Sequence, residues 1–179
     1  MKKAVVSLIV LAASVVSTTA LGAASAPSPS MLVLQRSDLP AGATRTTLKG
    51  LRGATLAVPA VGRVRPYGVL FQFRRSGRRE AVGSVAFVFS TAKAAKTSLA
   101  RARRQSAAAT FTRFNAPRLG DEQWTVGLFQ REASAAVSVV RKGKVIWETS
   151  VSTAPGLSRP AAIAEGLKYA RKQRARVQP

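Results

Sequence analysis

Apolar and polar positions alternate most clearly in the last third of the chain. Gln123 to Gln130 and Ala133 to Arg141 read as strands, a tight Lys142-Gly143 connection follows, and Lys144 to Ser152 reads as a third. Val137, Val139, Val145, Trp147 and Val151 are the core candidates of this meander. Ala81 to Phe89 also alternates, but both of its faces are apolar or small, the composition of a strand covered on both sides. Tyr67, Val69, Phe71 and Phe73 fit a half-buried strand, while Tyr67, Leu70, Phe71 and Arg74 also fit a helical turn.

Two helices follow from a different period. Ser90 is placed to cap a helix over about Thr91 to Gln105, whose Ala95, Leu99 and Ala102 form an inward stripe opposite Lys93, Lys96, Arg103 and Arg104. Pro155-Gly156 breaks the chain, and a last helix over Ser158 to Arg174 turns Ile163, Leu167 and Ala170 inward. Thr110 to Phe114 and Thr55 to Val58 are short strand candidates, and Met31 to Leu34 docks as a helical turn or strand. Pro40 and Gly42 fix a turn after Asp38. Ala43 to Arg65 reads as irregular surface chain. The order predicts an α+β fold, an antiparallel sheet of about five strands packed with two principal helices as a two-layer sandwich.

The N-terminus divides the chain. Met1-Lys2-Lys3 followed by uncharged Ala4 to Ala20 and small residues predicts a cleavable signal peptide over 1–23, cut after Gly22, Ala23 or Ala24. An uncleaved anchor is the other reading of the same stretch. Residues 24–30, rich in Ala, Ser and Pro, form a flexible linker, and 31–179 a single secreted domain. The expected location is extracytoplasmic, with no transmembrane segment once the signal is removed.

Composition narrows the chemistry. The chain has no His and no Cys, which removes Ser-His-Asp and Cys-His nucleophiles and most zinc sites. Only seven carboxylates exist, and just Asp121 and Glu122 are adjacent; two adjacent carboxylates fall short of a calcium site. No Gly-x-x-x-x-Gly-Lys phosphate loop occurs. A non-enzymatic protein without cofactor or metal is the expectation. A carboxylate hydrolase assembled from distant positions is one alternative, and a small-molecule module in a sheet–helix cleft is another.

The net charge is +22, with 29 Lys and Arg against 7 Asp and Glu. Such a field draws in polyanions and anionic lipid surfaces at low salt. Two clusters are candidate polyanion-binding residues. Arg74, Arg75, Arg78 and Arg79 surround a predicted hairpin tip, and Lys168, Arg171, Lys172 and Arg174 line the last helix. Each has a simpler, preferred account, a solvated loop for the first and complementation of the helix dipole for the second. Trp124 and Trp147 offer stacking surfaces, but their strand-like surroundings predict core packing for at least one. The expected partner is an anionic cell-envelope polymer or lipid surface, with no physiological nucleic acid and a monomeric state.

Several short motifs occur in a familiar order: Leu34-Gln-Arg-Ser-Asp38-Leu-Pro40-Ala-Gly42, the strand and Ala-rich helix over 81–105, Leu119-Gly120-Asp121-Glu122, and Val139-Val140-Arg141-Lys142-Gly143-Lys144-Val145. With the leader, this order resembles a broad group of secreted actinobacterial proteins and lipoproteins, similar to receptor-kinase sensor domains and the PsbP-like two-layer fold. The chain lacks the acylated Cys of the lipoproteins and the disulfides of the kinase sensors. The resemblance implies a non-enzymatic extracytoplasmic binding or accessory domain and carries no catalytic residue over.

Overall fold

The structure, a computed structural model, describes residues 27–48, 64–106 and 111–177, with no account of the side chains of 105 and 106. The predicted leader, the start of the linker and the Thr55–Val58 strand candidate lie outside the described residues.

The chain builds one antiparallel sheet. Its strands are β1 (Thr44–Thr47), β2 (Val64–Arg75), β3 (Arg78–Phe89), β4 (Thr112–Arg113), β5 (Glu122–Phe129), β6 (Ser134–Lys142) and β7 (Val145–Ala154). They lie in the order β1-β2-β3-β7-β6-β5-β4. Helix α1 (Ala92–Ser106) follows β3, and α2 (Arg159–Val177) follows β7. Ser76 and Gly77, both at positive φ, make the two-residue turn between β2 and β3, a conformation whose twist matches that of the strands.

Among the described residues the expected five strands are seven; the two further ones sit at the sheet edges, β4 inside the Thr110–Phe114 candidate and β1 where no strand was expected. All four residues of β1 and both of β4 are exposed, so neither carries an apolar alternation. Thr44 to Thr47 pairs with Gln72 to Val69 through main-chain groups, which corrects the irregular segment expected from residue 43 onward. The ambiguous 67–74 segment is strand throughout.

The two-layer arrangement is corrected by residue parity. Val85, Phe87 and Phe89 of β3, with Val137 and Val139 of β6 and Ile146 of β7, pack with Ala95, Leu99 and Ala102 of α1. The alternate residues point the other way. Val82, Ala86 and Val88 meet Tyr169 of α2 and the N-terminal Leu32, Val33 and Leu34, while Val140 and Trp147 meet Ala170. Successive side chains of a strand leave on opposite faces, so α1 and α2 cover opposite sides of the sheet. That is why β3 is apolar on both faces.

Each helix differs from its predicted pattern in one respect. Thr91, not Ser90, caps α1, its Oγ1 accepting from Ala94 N at 3.1 Å. In α2 the buried face is Ala162, Gly166, Leu167, Tyr169, Ala170 and Gln173, and Ile163 is only half-buried. Gly166 lets the helix sit close to β6; a Cβ there would lie 2.8 Å from the Ala136 Cβ.

Candidate functional site

The hairpin arginines divide between the two faces of the sheet. Arg74 stands opposite Arg79 in the β2–β3 register, and Arg75 opposite Arg78. Arg75 and Arg78 share the face that α2 covers. There Arg75 donates from Nε to Glu80 Oε1 at 2.9 Å and from Nη2 to Glu80 Oε2 at 3.0 Å. The same Nη2 reaches Glu165 Oε1 of α2 at 2.9 Å, and Lys168 Nζ approaches that oxygen at 3.1 Å.

Burial works against the Arg75 charge, but the hydrogen bonds to Glu80 and Glu165 outweigh it and raise the guanidinium pKa. Burial, reinforced by the Glu165 charge, pushes the neighbouring Tyr169 hydroxyl up to about 12. Arg78 is half-buried, with an Nε that has no acceptor.

Arg74 and Arg79 leave on the other face, the one that carries α1. Both are exposed, and neither makes a hydrogen bond or ion pair within the described residues. They flank a cleft of about 560 Å³ whose lining includes Thr44, Gln72, Ala81 and Ser152. Glu80 also contributes to the lining, its carboxylate already held by Arg75. Small side chains from β3 and β7 leave room there for a ligand, and two guanidinium groups at one edge give that space a positive field.

The helix cluster is largely engaged in holding the domain together. Lys168 pairs with Glu165, and Lys172 donates to the Asp38 carbonyl while lying 5.7 Å from the Tyr169 ring centroid. Arg171 is exposed. Arg174 borders a smaller cleft, about 320 Å³, with Arg118, Asp121 and Lys142. Glu165 therefore joins Arg75 of the hairpin to Lys168 of α2, whereas Arg74 and Arg79 stand apart from the helix cluster on the opposite face.

Trp124 and Trp147 are both buried, at 6% and 0% exposure, so neither presents a stacking face to solvent. Asp121 and Glu122 pair with Arg141, and Asp121 Oδ2 also accepts from Gly143 N at 2.8 Å, the local role their position predicts. Ser90 and Lys93, spaced as in Ser-x-x-Lys hydrolases, are both exposed beside the start of α1.

Sequence reasoning passed over the residues that lock the N-terminal segment to α2. Asp38 Oδ2 accepts from Arg176 Nε at 2.8 Å and from Gln35 N at 2.8 Å. Gln173, fully buried, accepts from Thr149 Oγ1 at 2.6 Å and donates to the Val85 and Leu32 carbonyls at 3.0 and 3.3 Å. The capping-box spacing of Gln35 and Asp38 is the one local signal that pointed toward this contact.

No family model matches the chain, and no curated protein matches it. Among solved structures it is similar to the extracellular domain of PknH from Mycobacterium tuberculosis, with 11% sequence identity and a TM-score of 0.51 over 82% of this chain and 94% of that one. The likeness is one of fold. It agrees with the kinase-sensor part of the expected resemblance, and the PsbP-like part has no support from these comparisons.

Proposed function

We propose that this chain is an exported, non-enzymatic binding or accessory domain of the cell envelope, and that it holds an anionic envelope polymer across the Arg74–Arg79 edge of its sheet. The observation that carries this reading is the pair itself: two exposed guanidinium groups directly across a hairpin, unpaired within the described residues, beside a cleft of ligand size. The fold likeness to the extracellular domain of PknH supports the extracytoplasmic location. Among the described residues no helix is long and apolar enough to cross a membrane.

The carboxylates support a binding role over a hydrolytic one. Five of the seven, Asp38, Glu80, Asp121, Glu122 and Glu165, each meet an Arg or Lys side chain of the fold, so their oxygens already have structural partners. The test is binding of the purified mature protein to a wall polyphosphodiester, anionic vesicles and duplex DNA over a salt series, for the native chain and for Arg74→Ala/Arg79→Ala. The double variant is expected to lose affinity for the wall polymer and to flatten the log–log salt slope by roughly 1.5, about 0.7–0.9 per phosphate contact. An unchanged slope would remove this edge from the reading. Retention of vesicles alone would move the partner to lipid. The volume of the cleft favours a second reading, a small-molecule ligand held beside Arg79; it is the one to pursue if every polymer dissociates near physiological salt.

A further inference from the structure

A second cleft, about 430 Å³, opens on the α1 side of the sheet between the last turn of α1 and the β4–β5 edge. Among the described residues the only charged ones that line it are cationic, Arg103 from α1 and Arg113 from β4. Arg103 was expected on the outer face of its helix; instead it is half-buried, with Nη2 donating to the Gln123 carbonyl. Its Nε is shielded and has no acceptor. Trp124, also lining the cleft and 94% buried by its 6% exposure, carries an indole Nε1–H that likewise has no acceptor.

Of the polar side chains that line the cleft, Asn115 is exposed and carries as many donors as acceptor sites, while those of Gln123 and Thr125 are engaged within the fold. Gln123 Oε1 accepts from Leu119 N at 2.8 Å, and its Nε2 donates to the Ala116 and Pro117 carbonyls at 3.0 Å each. The Thr125 hydroxyl donates to the Phe114 carbonyl. Guanidinium and indole groups donate and never accept, so the cleft presents donors in excess of acceptors. An unmade buried hydrogen bond is unfavourable, and a ligand that supplies acceptor oxygens relieves it.

We propose that this cleft binds an oxyanion, the phosphate or carboxylate group of a small ligand, between Arg103, Arg113 and the Trp124 indole N–H. The Arg103 side chain turns about its Gln123 contact to bring Nε onto the anion, and exposed Arg113 closes over it from the sheet edge. The site is separate from the Arg74–Arg79 edge and does not depend on a polymer binding there.

The two tryptophans supply the test. In the 15N-labelled mature protein, the Trp124 indole N–H reports on the cleft. That of Trp147, on the opposite face beside Val140 and Ala170, serves as control. Inorganic phosphate and sodium acetate are titrated against sodium chloride at matched ionic strength. The Trp124 signal is expected to move saturably with phosphate or acetate, with a midpoint below roughly 10 mM, while Trp147 stays in place. The oxyanion with the lower midpoint identifies the ligand chemistry. Arg113→Ala, at an exposed edge position that leaves the fold intact, and Arg103→Lys, which lacks the guanidinium fork, each raise the midpoint about tenfold or more. Arg74→Ala/Arg79→Ala leaves it unchanged. A fixed Trp124 signal, an equal response to chloride, or an unaltered midpoint in Arg113→Ala would mean an adventitious ion only and overturn the proposal.

Discussion

The Arg75 guanidinium holds the Glu80 carboxylate by two hydrogen bonds, Nε to Oε1 at 2.9 Å and Nη2 to Oε2 at 3.0 Å, with the Glu80 side chain only 3% exposed. A run of basic residues around one turn thus contains two kinds of arginine. Arg75 is a structural partner of a buried charge, and Arg74, next to it in sequence, points to solvent from the other face.

The distinction predicts different stabilities for neighbouring alanine variants. Arg75→Ala leaves Glu80 buried without its charge partner and is expected to lose about 2–3 kcal/mol. That is below the ~3–5 kcal/mol of a fully buried pair, because the Arg75 side chain is 37% exposed. Arg74→Ala is expected to stay within about 0.5 kcal/mol of the native chain. Urea denaturation midpoints compare the two directly. Equal midpoints would show that the Glu80–Arg75–Glu165 network adds nothing to the fold.

Gln173 ties three elements together, so its replacement should be disproportionately costly. Gln173→Leu keeps an apolar residue of similar bulk on a helix but strips partners from Thr149 Oγ1 and the Leu32 and Val85 carbonyls. The expected loss is about 2–4 kcal/mol, the unmet groups dominating over any apolar gain. Denaturant titration checks it, and Thr149→Val in the same background should recover part of the loss. A Gln173→Leu variant as stable as the native protein would contradict this assignment.

Tyr169 predicts an alkaline effect. In the unfolded chain its hydroxyl ionises near ~10, whereas in the folded protein burial, first, and the Glu165 charge hold it protonated up to about 12. The folded state therefore keeps a proton that the unfolded state has released. This contribution is intact below pH ~10 and is lost as pH rises toward about 12, at up to about 1.4 kcal/mol per unit. Tyr169→Phe should remove that part of the alkaline decline. Because the buried hydroxyl has no hydrogen-bond partner, the variant should be as stable as the native chain at pH 7 or about 1 kcal/mol more so. Parallel pH–stability curves for the two proteins would refute the assignment.

The strands and helices that bury apolar side chains were readable because burial leaves a period in the sequence. β3, β6, β7 and α1 follow their predicted spans closely. β1 escaped because Thr44-Arg45-Thr46-Thr47 buries nothing and is held by main-chain hydrogen bonds at a sheet edge. The inward face of α2 was misplaced at Ile163 because two of its contacts run through Gly166 and Gln173, a residue without a side chain and a polar one. The arginines could be found as a cluster but not sorted, since Arg75 meets Glu165 from 90 residues away and only the folded sheet decides which side each guanidinium takes. Arg103 had the same difficulty: its helical position marked it as solvent-facing, and the group it meets is the main-chain carbonyl of Gln123, which leaves no mark in the sequence.

Asp38 and Arg176 close the domain between its first and last described segments, and this contact should govern local rather than global opening. Asp38→Ala removes the acceptor of both Arg176 Nε and Gln35 N, yet Leu32, Val33 and Leu34 stay buried against the sheet at 0–2% exposure. The expected cost is about 1–2 kcal/mol, that of a lost cap together with a half-buried ion pair. Native-state hydrogen exchange should show it as roughly tenfold faster exchange at the Asp38 and Leu39 amides, which bond to Gln35 and Arg36, and in the last turn of α2. The Val85 and Trp147 amides at the centre of the sheet should keep their protection. Uniform acceleration across β3 and β7 would instead mean that the N-terminal segment folds and unfolds with the sheet as one unit, so that its docking belongs to the stability of the core.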